Sequence, residues 1–309
     1  MSTKILLAVV GPTAIGKTSL GIQLAKHFGT EIISADSRQF FKEMEIGTAV
    51  PSKEDLNEAP HHFIQHKSIF EPYSVGDFEK EAIKLLDGLF QKKDIAVMVG
   101  GSGLYVDAVV SGLDKFPEVD PKIRELLNQK LQEQGLESLQ KELKQKDPDY
   151  YKIIDRDNPH RLIRALEVCV AANKPYSFFL GQPKAKRGFK TLYIGIEAPR
   201  EIIYERINAR VDLMMKTGLL EEAKKLYPHR KLNALQTVGY KELFEYIGGH
   251  CSLDFAVSEI KKNTRRFAKR QLTWLRKNEA ILWVPYDGEP NQVLQMVTDQ
   301  LKTNFYAQR

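Results

Sequence analysis

Residues 11–18 are Gly11-Pro12-Thr13-Ala14-Ile15-Gly16-Lys17-Thr18, and this stretch decides the fold. An apolar segment at residues 5–10 precedes it, and apolar residues at helical spacing follow it over residues 20–28. A strand, the pattern G-x-x-x-x-G-K-[ST] and a helix in succession are typical of a phosphate-binding P-loop. Backbone N–H groups of such a loop surround a phosphate, and the helix N-terminus adds partial positive charge. We therefore expect a bound diphosphate or triphosphate, with Lys17 on its oxygens and Mg²⁺ on the Thr18 hydroxyl. The alternative is a glycine-rich turn that binds nothing.

Length and composition limit the class of protein. The chain has 309 residues, which suits one large domain or two smaller ones. It contains no run of about 18 apolar residues, so we expect no membrane span, and its N-terminus predicts no signal peptide. Cys169 and Cys251 are far apart and form no metal-binding or redox motif, which is typical of a cytoplasmic protein with reduced thiols.

The net charge of +6 is unevenly distributed. Residues 1–114 contain 11 Lys and Arg against 15 Asp and Glu, whereas the remainder contains 35 against 25. Positive charge therefore lies away from the P-loop, as expected if a polyanion docks on the later elements. A solvated lysine-rich surface is the alternative.

Strands and helices alternate over the first hundred residues, which predicts a parallel sheet with right-handed crossovers. The predicted elements are strands at 5–10, 31–35 and 95–99 and helices at 17–28 and 75–91. Ligands of such sheets bind at the carboxyl ends of the strands. We therefore expect residues 11–18, 36–39 and 100–105 to converge.

The later part of the chain predicts two domains. Residues 115–188 contain helical segments at 121–146 and 159–172 and a basic loop, with no evident strand. We interpret them as a helical insertion into a core domain formed by residues 1–114 and 189–309. The core would continue with strands at 191–197 and 281–284 and with four helices at 200–226, 239–247, 253–277 and 290–305.

Polar residues after the second and third strands are candidates for catalysis. Asp36 can orient Mg²⁺ or act as a general base, although it can also cap a helix. Arg38 and Gln39 can hydrogen-bond a base edge, and the Ser102 hydroxyl can bond a reacting group, unless residues 100–105 are an ordinary turn. The third strand ends in glycine, without the acidic residue that a motor or switch ATPase places there. A small-molecule kinase with an arginine lid remains possible.

Two helices carry cations that can meet a polyanion. Arg161 and Arg164 share one helix face, or else form surface ion pairs. Residues 260–278 contain eight Lys or Arg and no acid, with an apolar stripe that we assign to Ile260, Phe267, Ala268, Leu272 and Leu275. The opposite face, including Arg265, Lys269 and Arg276, can contact nucleic-acid phosphates, unless it is only solvated. Trp274 is predicted to be half-buried, and His61 and His62 are not predicted to bind metal.

Ten blocks together resemble the tRNA dimethylallyltransferase family, in the family's order and over nearly the whole chain. They are GPTAIGKT at 11–18, DSRQ at 36–39, IGTAVP at 46–51, PHHF at 60–63, YSVGDF at 73–78, GGSGLY at 100–105, NPHRLIRALEV at 158–168, GLLEEA at 218–223, QTVGYKE at 236–242 and TRRFAKRQLTWLR at 264–276. The zinc-finger tail of some eukaryotic members is absent, so we expect a bacterial type.

The resemblance implies transfer of a dimethylallyl group from dimethylallyl diphosphate to N6 of the adenine 3′ of the anticodon. It implies catalytic roles for Asp36 as the base, for Ser102 in orienting a reactant and for Lys17 on the leaving diphosphate. Diphosphate would be bound by Gly11, Pro12, Thr13, Ala14, Ile15, Gly16, Lys17, Thr18 and Arg210, with Mg²⁺ on Thr18. Arg206 lies one helical turn from Arg210 and is an alternative to it.

The resemblance also implies a tRNA partner, bound through its anticodon stem-loop, on which the insertion closes. Its contacts would be Asp36, Ser37, Arg38, Gln39, Ser102, Arg124, His160, Arg161, Leu162, Ile163, Arg164, Arg265, Lys269 and Arg270. Three positions depart from the usual family residues: Ile15 replaces Ser, Ser102 replaces Thr and His160 replaces Gln. The last puts one base contact in question and can make binding sensitive to pH near about 6.5.

We thus expect an α/β fold with a P-loop NTPase-like parallel sheet flanked by helices, an all-helical insertion and a monomeric state. Three alternatives remain. An adenylate isopentenyltransferase would act on free AMP, ADP or ATP and would not need the basic helix. A nucleotide kinase would consume ATP, and an RNA-binding P-loop protein would tolerate loss of Asp36.

Overall fold

The structure is a computed structural model that describes residues 3–184 and 186–306. It divides into two compact units. The first comprises the residues up to Ser111 together with those from Arg187 onward, and the second comprises Gly112–Lys186. The sequence predicts these boundaries a few residues later, after residues 114 and 188.

The first unit is built on a parallel sheet. Its strands are β1 (Ile5–Val10), β2 (Ile32–Ser34), β3 (His61–His62), β4 (Ile95–Val99), β5 (Lys190–Glu197) and β6 (Leu282–Pro285). Their order across the sheet is β3-β2-β4-β1-β5-β6, and all neighbours pair in parallel. The predicted α/β class with a parallel sheet is therefore confirmed.

Helices cover both faces of this sheet. They are α1 (Lys17–Phe28), α2 (Lys53–Glu58), α3 (Val75–Lys92), α4 (Gly103–Ser111), α8 (Arg200–Lys216), α9 (Leu219–Leu226), α10 (Tyr240–Ile247), α11 (Leu253–Leu275) and α12 (Pro290–Leu301), while α5 to α7 belong to the second unit. Every residue of β1 is fully buried. Its side chains alternate between two apolar clusters, as expected for a central strand with helices on each side.

The second unit is helical. It contains α5 (Pro121–Lys146), α6 (Pro148–Ile153) and α7 (Pro159–Ala172). Helix α5 is kinked at Gly135, where φ is +74°. Asp147 ends α5 and caps α6 by accepting from the Tyr150 N–H, and it also accepts from the N–H and hydroxyl of Ser177.

Some predicted elements require correction. The single helix predicted at 200–226 is two helices, because Gly218 adopts φ of +109° and starts α9 as a separate element. Helix α2 and strand β3 were not predicted: α2 is only 6 residues long and β3 only 2, too short for a clear periodicity. Among the described residues, no helix is both long and apolar enough to cross a membrane.

Candidate active site

A cleft of about 270 Å³ lies in the first unit, at the carboxyl ends of β1, β2 and β4. Its lining includes the loop from Thr13 to Ser19, Asp36 and Gln39 after β2, Gly100 after β4, and Arg210 from α8. The three sequence segments expected to converge therefore do so, with Ser102 placed just beside the cleft.

The phosphate loop turns sharply before α1. Gly16 adopts φ of +110° and caps α1 without any side-chain hydrogen bond to the helix N-terminus. The N–H groups of the first turn are thus available to an anion. Ile15 is buried and packs against the position that a Cβ at Gly11 would occupy. Its apolar side chain therefore supports the loop from beneath.

Lys17 is the principal cation of the loop. Its ammonium donates a hydrogen bond of 2.8 Å to the carbonyl of Pro12. Burial lowers the pKa of Lys17 to about 8, the negative charge of Asp36 opposes this, and the positive charge of Arg210 adds to it. The cleft therefore concentrates positive charge that is not fully neutralised, as an anion site requires.

Arg210 and Arg206 occupy different positions, although one turn of α8 separates them. Arg210 lines the cleft, and burial lowers its pKa, with Asp36 acting in the opposite direction. Arg206 donates to the carbonyl of Ile15 over 3.3 Å and lies 5.7 Å from the Tyr286 ring centre. Arg210 is thus the arginine placed to meet a ligand, and Arg206 braces the loop.

Asp36 and Ser102 lie at the ends of neighbouring strands. One Asp36 oxygen accepts from the N–H of Arg38 over 3.1 Å. The Ser102 hydroxyl lies 3.3 Å from both the backbone nitrogen and the hydroxyl of Ser37. The two hydroxyls therefore contact each other beside the cleft, and the Asp36 carboxylate lines it.

Arg38 and Gln39 use their donors within the protein. Arg38 donates to the carbonyls of Asn233 and Ala234 over 3.3 and 2.9 Å, and burial lowers its pKa. The Gln39 amide donates to the carbonyls of Thr48 and Ala49 over 3.2 and 2.9 Å. Both side chains therefore organise the surrounding loops.

Two of the glycines after β4 allow close approaches to other parts of the unit. A Cβ at Gly100 would lie 2.6 Å from the carbonyl oxygen of Ala35, and one at Gly103 would lie 2.7 Å from the ring of Trp274. Trp274 packs against the core and donates from its indole to Asp107 over 2.9 Å. Its predicted half-buried role is confirmed.

Arginines of the second unit surround one buried carboxylate. The guanidinium of Arg124 donates to both oxygens of Glu167 over 2.7 and 3.1 Å, and Arg164 donates to the same carboxylate over 2.6 Å. The Glu167 side chain is only 4% exposed, whereas those of Arg124 and Arg164 are 54% and 40% exposed. The Glu167 carboxylate thus holds both guanidinium groups in place, and both remain partly exposed to solvent.

The remaining candidates of α7 differ in accessibility. His160 and Arg161 are exposed, while Leu162 and Ile163 are buried in the helical core. The two apolar side chains therefore pack inside the unit, beneath the exposed side chains of the same helix.

Helix α11 presents most of the basic surface predicted for it. Lys269 and Arg270 are exposed, whereas Arg265 is half-buried and donates to the Asn208 side chain over 2.8 Å. Phe267, which we assigned to the apolar stripe, is instead exposed, with Arg270 at 5.7 Å from its ring centre. The buried face of the helix is completed by Gln271, a residue that the apolar pattern did not identify.

The fold and the cleft define an α/β protein of the P-loop NTPase-like class with a cleft that Lys17 and Arg210 line. The chain belongs to the IPP transferase family, whose model matches residues 39–278. It is 60% identical to the tRNA dimethylallyltransferase of Christiangramia forsetii, over 96% of this chain and 99% of that protein. It is 55% identical to the tRNA dimethylallyltransferase of Flavobacterium johnsoniae, over 98% of this chain and 100% of that protein.

Solved structures show the same fold. The full-length tRNA isopentenylpyrophosphate transferase from Bacillus halodurans matches with a TM-score of 0.73 and 35% identity, over 98% of this chain and 97% of that one. A eukaryotic dimethylallyltransferase acting on tRNA has a TM-score of 0.81 at 24% identity, over 99% of this chain and 80% of that one. At 24% identity, the similarity to the eukaryotic protein shows a shared fold only.

Proposed function

We propose that this protein transfers the dimethylallyl group of dimethylallyl diphosphate to N6 of the adenine 3′ of the anticodon in tRNA, releasing diphosphate. Relatives at 55–60% identity over nearly their whole length carry the name tRNA dimethylallyltransferase. The structural observation that carries the proposal is the cleft that Lys17, Arg210 and Asp36 line together. It combines cations that can bind a diphosphate with the Asp36 carboxylate, whose charge acts on both Lys17 and Arg210.

The transfer needs one bond to form and one to break. The N6 lone pair forms a bond to the first carbon of the dimethylallyl group while the bond from that carbon to diphosphate oxygen breaks. The N6 proton passes to Asp36 as or after the new bond forms, because an exocyclic amine is too weakly acidic to ionise first. A positioned base contributes about 10²–10⁴ in rate.

Charge on the leaving diphosphate is stabilised by the cations of the cleft. Lys17, Arg210 and the free N–H groups at the start of α1 surround the site where negative charge develops. Preorganised donors of this kind usually contribute more to the rate than any other catalytic effect. Ser102, whose hydroxyl lies beside Ser37, would orient the acceptor amine.

We further propose Mg²⁺ as the metal. Its ligands would be the Thr18 hydroxyl and the diphosphate, since Mg²⁺ prefers hard oxygen donors and commonly binds through substrate phosphates. The described residues contain no cluster of three His, Cys, Asp or Glu side chains that would hold a metal alone. Bound there, Mg²⁺ would neutralise charge on the leaving group.

The tRNA would be held by cations and read through an unstacked base. Exposed candidates are Arg124, Arg161 and Arg164 in the helical unit and Lys269 and Arg270 on α11. Extruding the adenine costs a few kcal/mol, and loops suit this because their bases are already partly unstacked. We propose that the protein acts as a cytoplasmic monomer, as one cleft per chain is sufficient.

The test is transfer of labelled dimethylallyl groups from the diphosphate with Mg²⁺. Acceptors would be an anticodon stem-loop with three consecutive adenines, the same loop with guanine at the target position, and free AMP. Label on the adenine loop alone, lost in Asp36→Ala, is the expected result. Label on AMP would favour an adenylate isopentenyltransferase, and consumption of ATP without label transfer would favour a kinase.

A further inference from the structure

Gln271 is a buried polar residue on the inner face of α11. The residue is only 7% exposed, and it lies between the buried residues Ala268 and Leu275 of the same helix. Burying an amide is unfavourable unless its donors and acceptor are satisfied. The contacts of this side chain therefore explain why an amide stands in an otherwise apolar stripe.

The Gln271 amide bridges two loops that are far apart in sequence. Its Oε1 accepts from the N–H of Thr13 in the phosphate loop over 2.9 Å. Its Nε2 donates to the carbonyl of Gly101, in the loop after β4, over 2.9 Å. A backbone N–H can only donate and a backbone carbonyl can only accept, so the orientation of the amide is determined.

The Gln271 amide lies very close to the backbone of Gly101. A Cβ at this position would collide with the Gln271 amide nitrogen, so the approach requires a glycine. The next residue is Ser102, whose hydroxyl lies 3.3 Å from the backbone nitrogen of Ser37. One amide therefore links the diphosphate side of the cleft to the side that carries the candidate base.

We propose that Gln271 is a positioning residue for the transfer reaction. It holds the phosphate loop and the Gly101–Ser102 segment at one separation, and this sets the alignment of the leaving diphosphate with the acceptor amine. The inference rests on the proposed function. Displacement reactions are sensitive to such alignment, because a misplacement of about 1 Å can cost about 100-fold in rate.

The most informative variant is Gln271→Glu, because its effect on the bridge depends on whether the new side chain is protonated. As a carboxylate, the new side chain places an acceptor against the Gly101 carbonyl, and the bridge is broken. As a neutral acid it can donate to that carbonyl and accept from Thr13, as glutamine does. Burial raises the pKa of a carboxylic acid, which brings this change into an accessible pH range.

The experiment measures kcat and KM for dimethylallyl diphosphate between pH 6 and 9, with an adenine stem-loop as acceptor. We expect kcat of Gln271→Glu to be about 100-fold below wild type at pH 9 and to recover as the pH falls. Gln271→Met should lose a similar factor at every pH. Gln292→Glu, a matched change at an exposed glutamine of α12, should follow the wild-type profile.

Two results would overturn the inference: a Gln271→Glu pH profile parallel to wild type, or a folded Gln271→Met with wild-type kcat. If Gln271→Met does not fold, the pH profile of Gln271→Glu still decides. Binding of inorganic diphosphate, measured by calorimetry, separates this inference from the proposed function. A wild-type protein that binds diphosphate but transfers no label would refute the function, whereas weaker diphosphate binding in Gln271→Met would still support the bridge.

Discussion

Tyr240 donates a hydrogen bond to Glu222, with 2.6 Å between their oxygens. The same carboxylate accepts the backbone N–H groups of Glu45, Ile46 and Gly47 over 2.8–3.0 Å. This loop continues into Thr48 and Ala49, which line the cleft. The pair therefore shapes one wall of the cleft from behind it. The buried Tyr240 phenol has a strongly raised pKa, because burial and the charge of Glu222 both oppose its ionisation.

Glu222→Ala should destabilise the protein by about 2–4 kcal/mol, because three backbone N–H groups and a buried phenol lose their acceptor. Tyr240→Phe removes only one of the bonds and should cost about 1.5–3 kcal/mol. Urea unfolding followed by circular dichroism measures both values. Glu221→Ala is the matched control, since Glu221 forms only an exposed ion pair with Lys224 and should change stability by less than about 1 kcal/mol. Equal effects at 221 and 222 would contradict this account.

Asp36→Asn should lower kcat by about 10²–10⁴ while leaving the cleft able to bind diphosphate. The amide keeps the shape of the side chain and can still accept from the Arg38 N–H, but it cannot take up the N6 proton. Steady-state transfer to an adenine stem-loop gives kcat, and calorimetry gives diphosphate affinity. Ser37→Ala is a useful comparison, because it removes a neighbouring hydroxyl and leaves the carboxylate. An Asp36→Asn variant with wild-type kcat would exclude Asp36 as the base.

Local patterns in the sequence predicted the strands and the loops that form the cleft. The boundaries predicted for the strands at 5–10 and 95–99 agree with the structure, because a buried parallel strand is a continuous apolar run. The convergence of residues 11–18, 36–39 and 100 followed from the topology of such sheets.

The long-range contacts behind the site could not be predicted in the same way. Glu222 lies 175 to 177 residues along the chain from the loop residues that it holds, and no periodicity links the two. Phe267 was wrongly assigned to the buried face, because hydrophobicity alone places a phenylalanine inside. Gln271 was missed, because the same reasoning places a glutamine at the surface. Here the amide is buried because two backbone groups require it, and the ring remains exposed beside Arg270.

Arg124→Gln should weaken binding of the anticodon stem-loop and reduce its salt dependence. If the exposed guanidinium contacts one phosphate, the slope of log K against log salt should fall by about one. Glu167→Gln should have a similar effect without removing either arginine, because Arg124 and Arg164 then lose their common anchor. Fluorescence anisotropy between 50 and 300 mM salt measures the slopes. Lys141→Gln, on the same helix α5 and paired only with exposed Glu137, is the control. Identical slopes in all variants would remove Arg124 from the RNA-binding surface.

Lys17→Met should stabilise the protein at neutral pH. The folded-state pKa of Lys17 is lowered from 10.5 to about 8, so its buried charge opposes folding below pH 8. This penalty fades as the pH rises from 8 to 10.5, where the folded state releases the proton before the unfolded state does. We expect a gain of about 1–3 kcal/mol at pH 7 that vanishes near pH 10.5. Urea unfolding at the two pH values tests this, and a variant less stable than wild type at pH 7 would contradict it.

Diphosphate affinity should fall as the pH rises above about 8, the pKa of Lys17 in the free cleft. A bound diphosphate raises this pKa, so binding above pH 8 requires uptake of a proton, and affinity falls by up to about tenfold per pH unit. Lys17→Arg is the control, because a guanidinium stays charged over this range and its curve contains only the titration of diphosphate itself. In Asp36→Asn, diphosphate affinity should begin to fall at a lower pH than in wild type, since the charge of Asp36 raises the pKa of Lys17. Calorimetry from pH 6.5 to 9.5 gives these curves. If the wild-type and Lys17→Arg curves have the same shape, the ammonium of Lys17 does not titrate between pH 6.5 and 9.5, and this prediction is wrong.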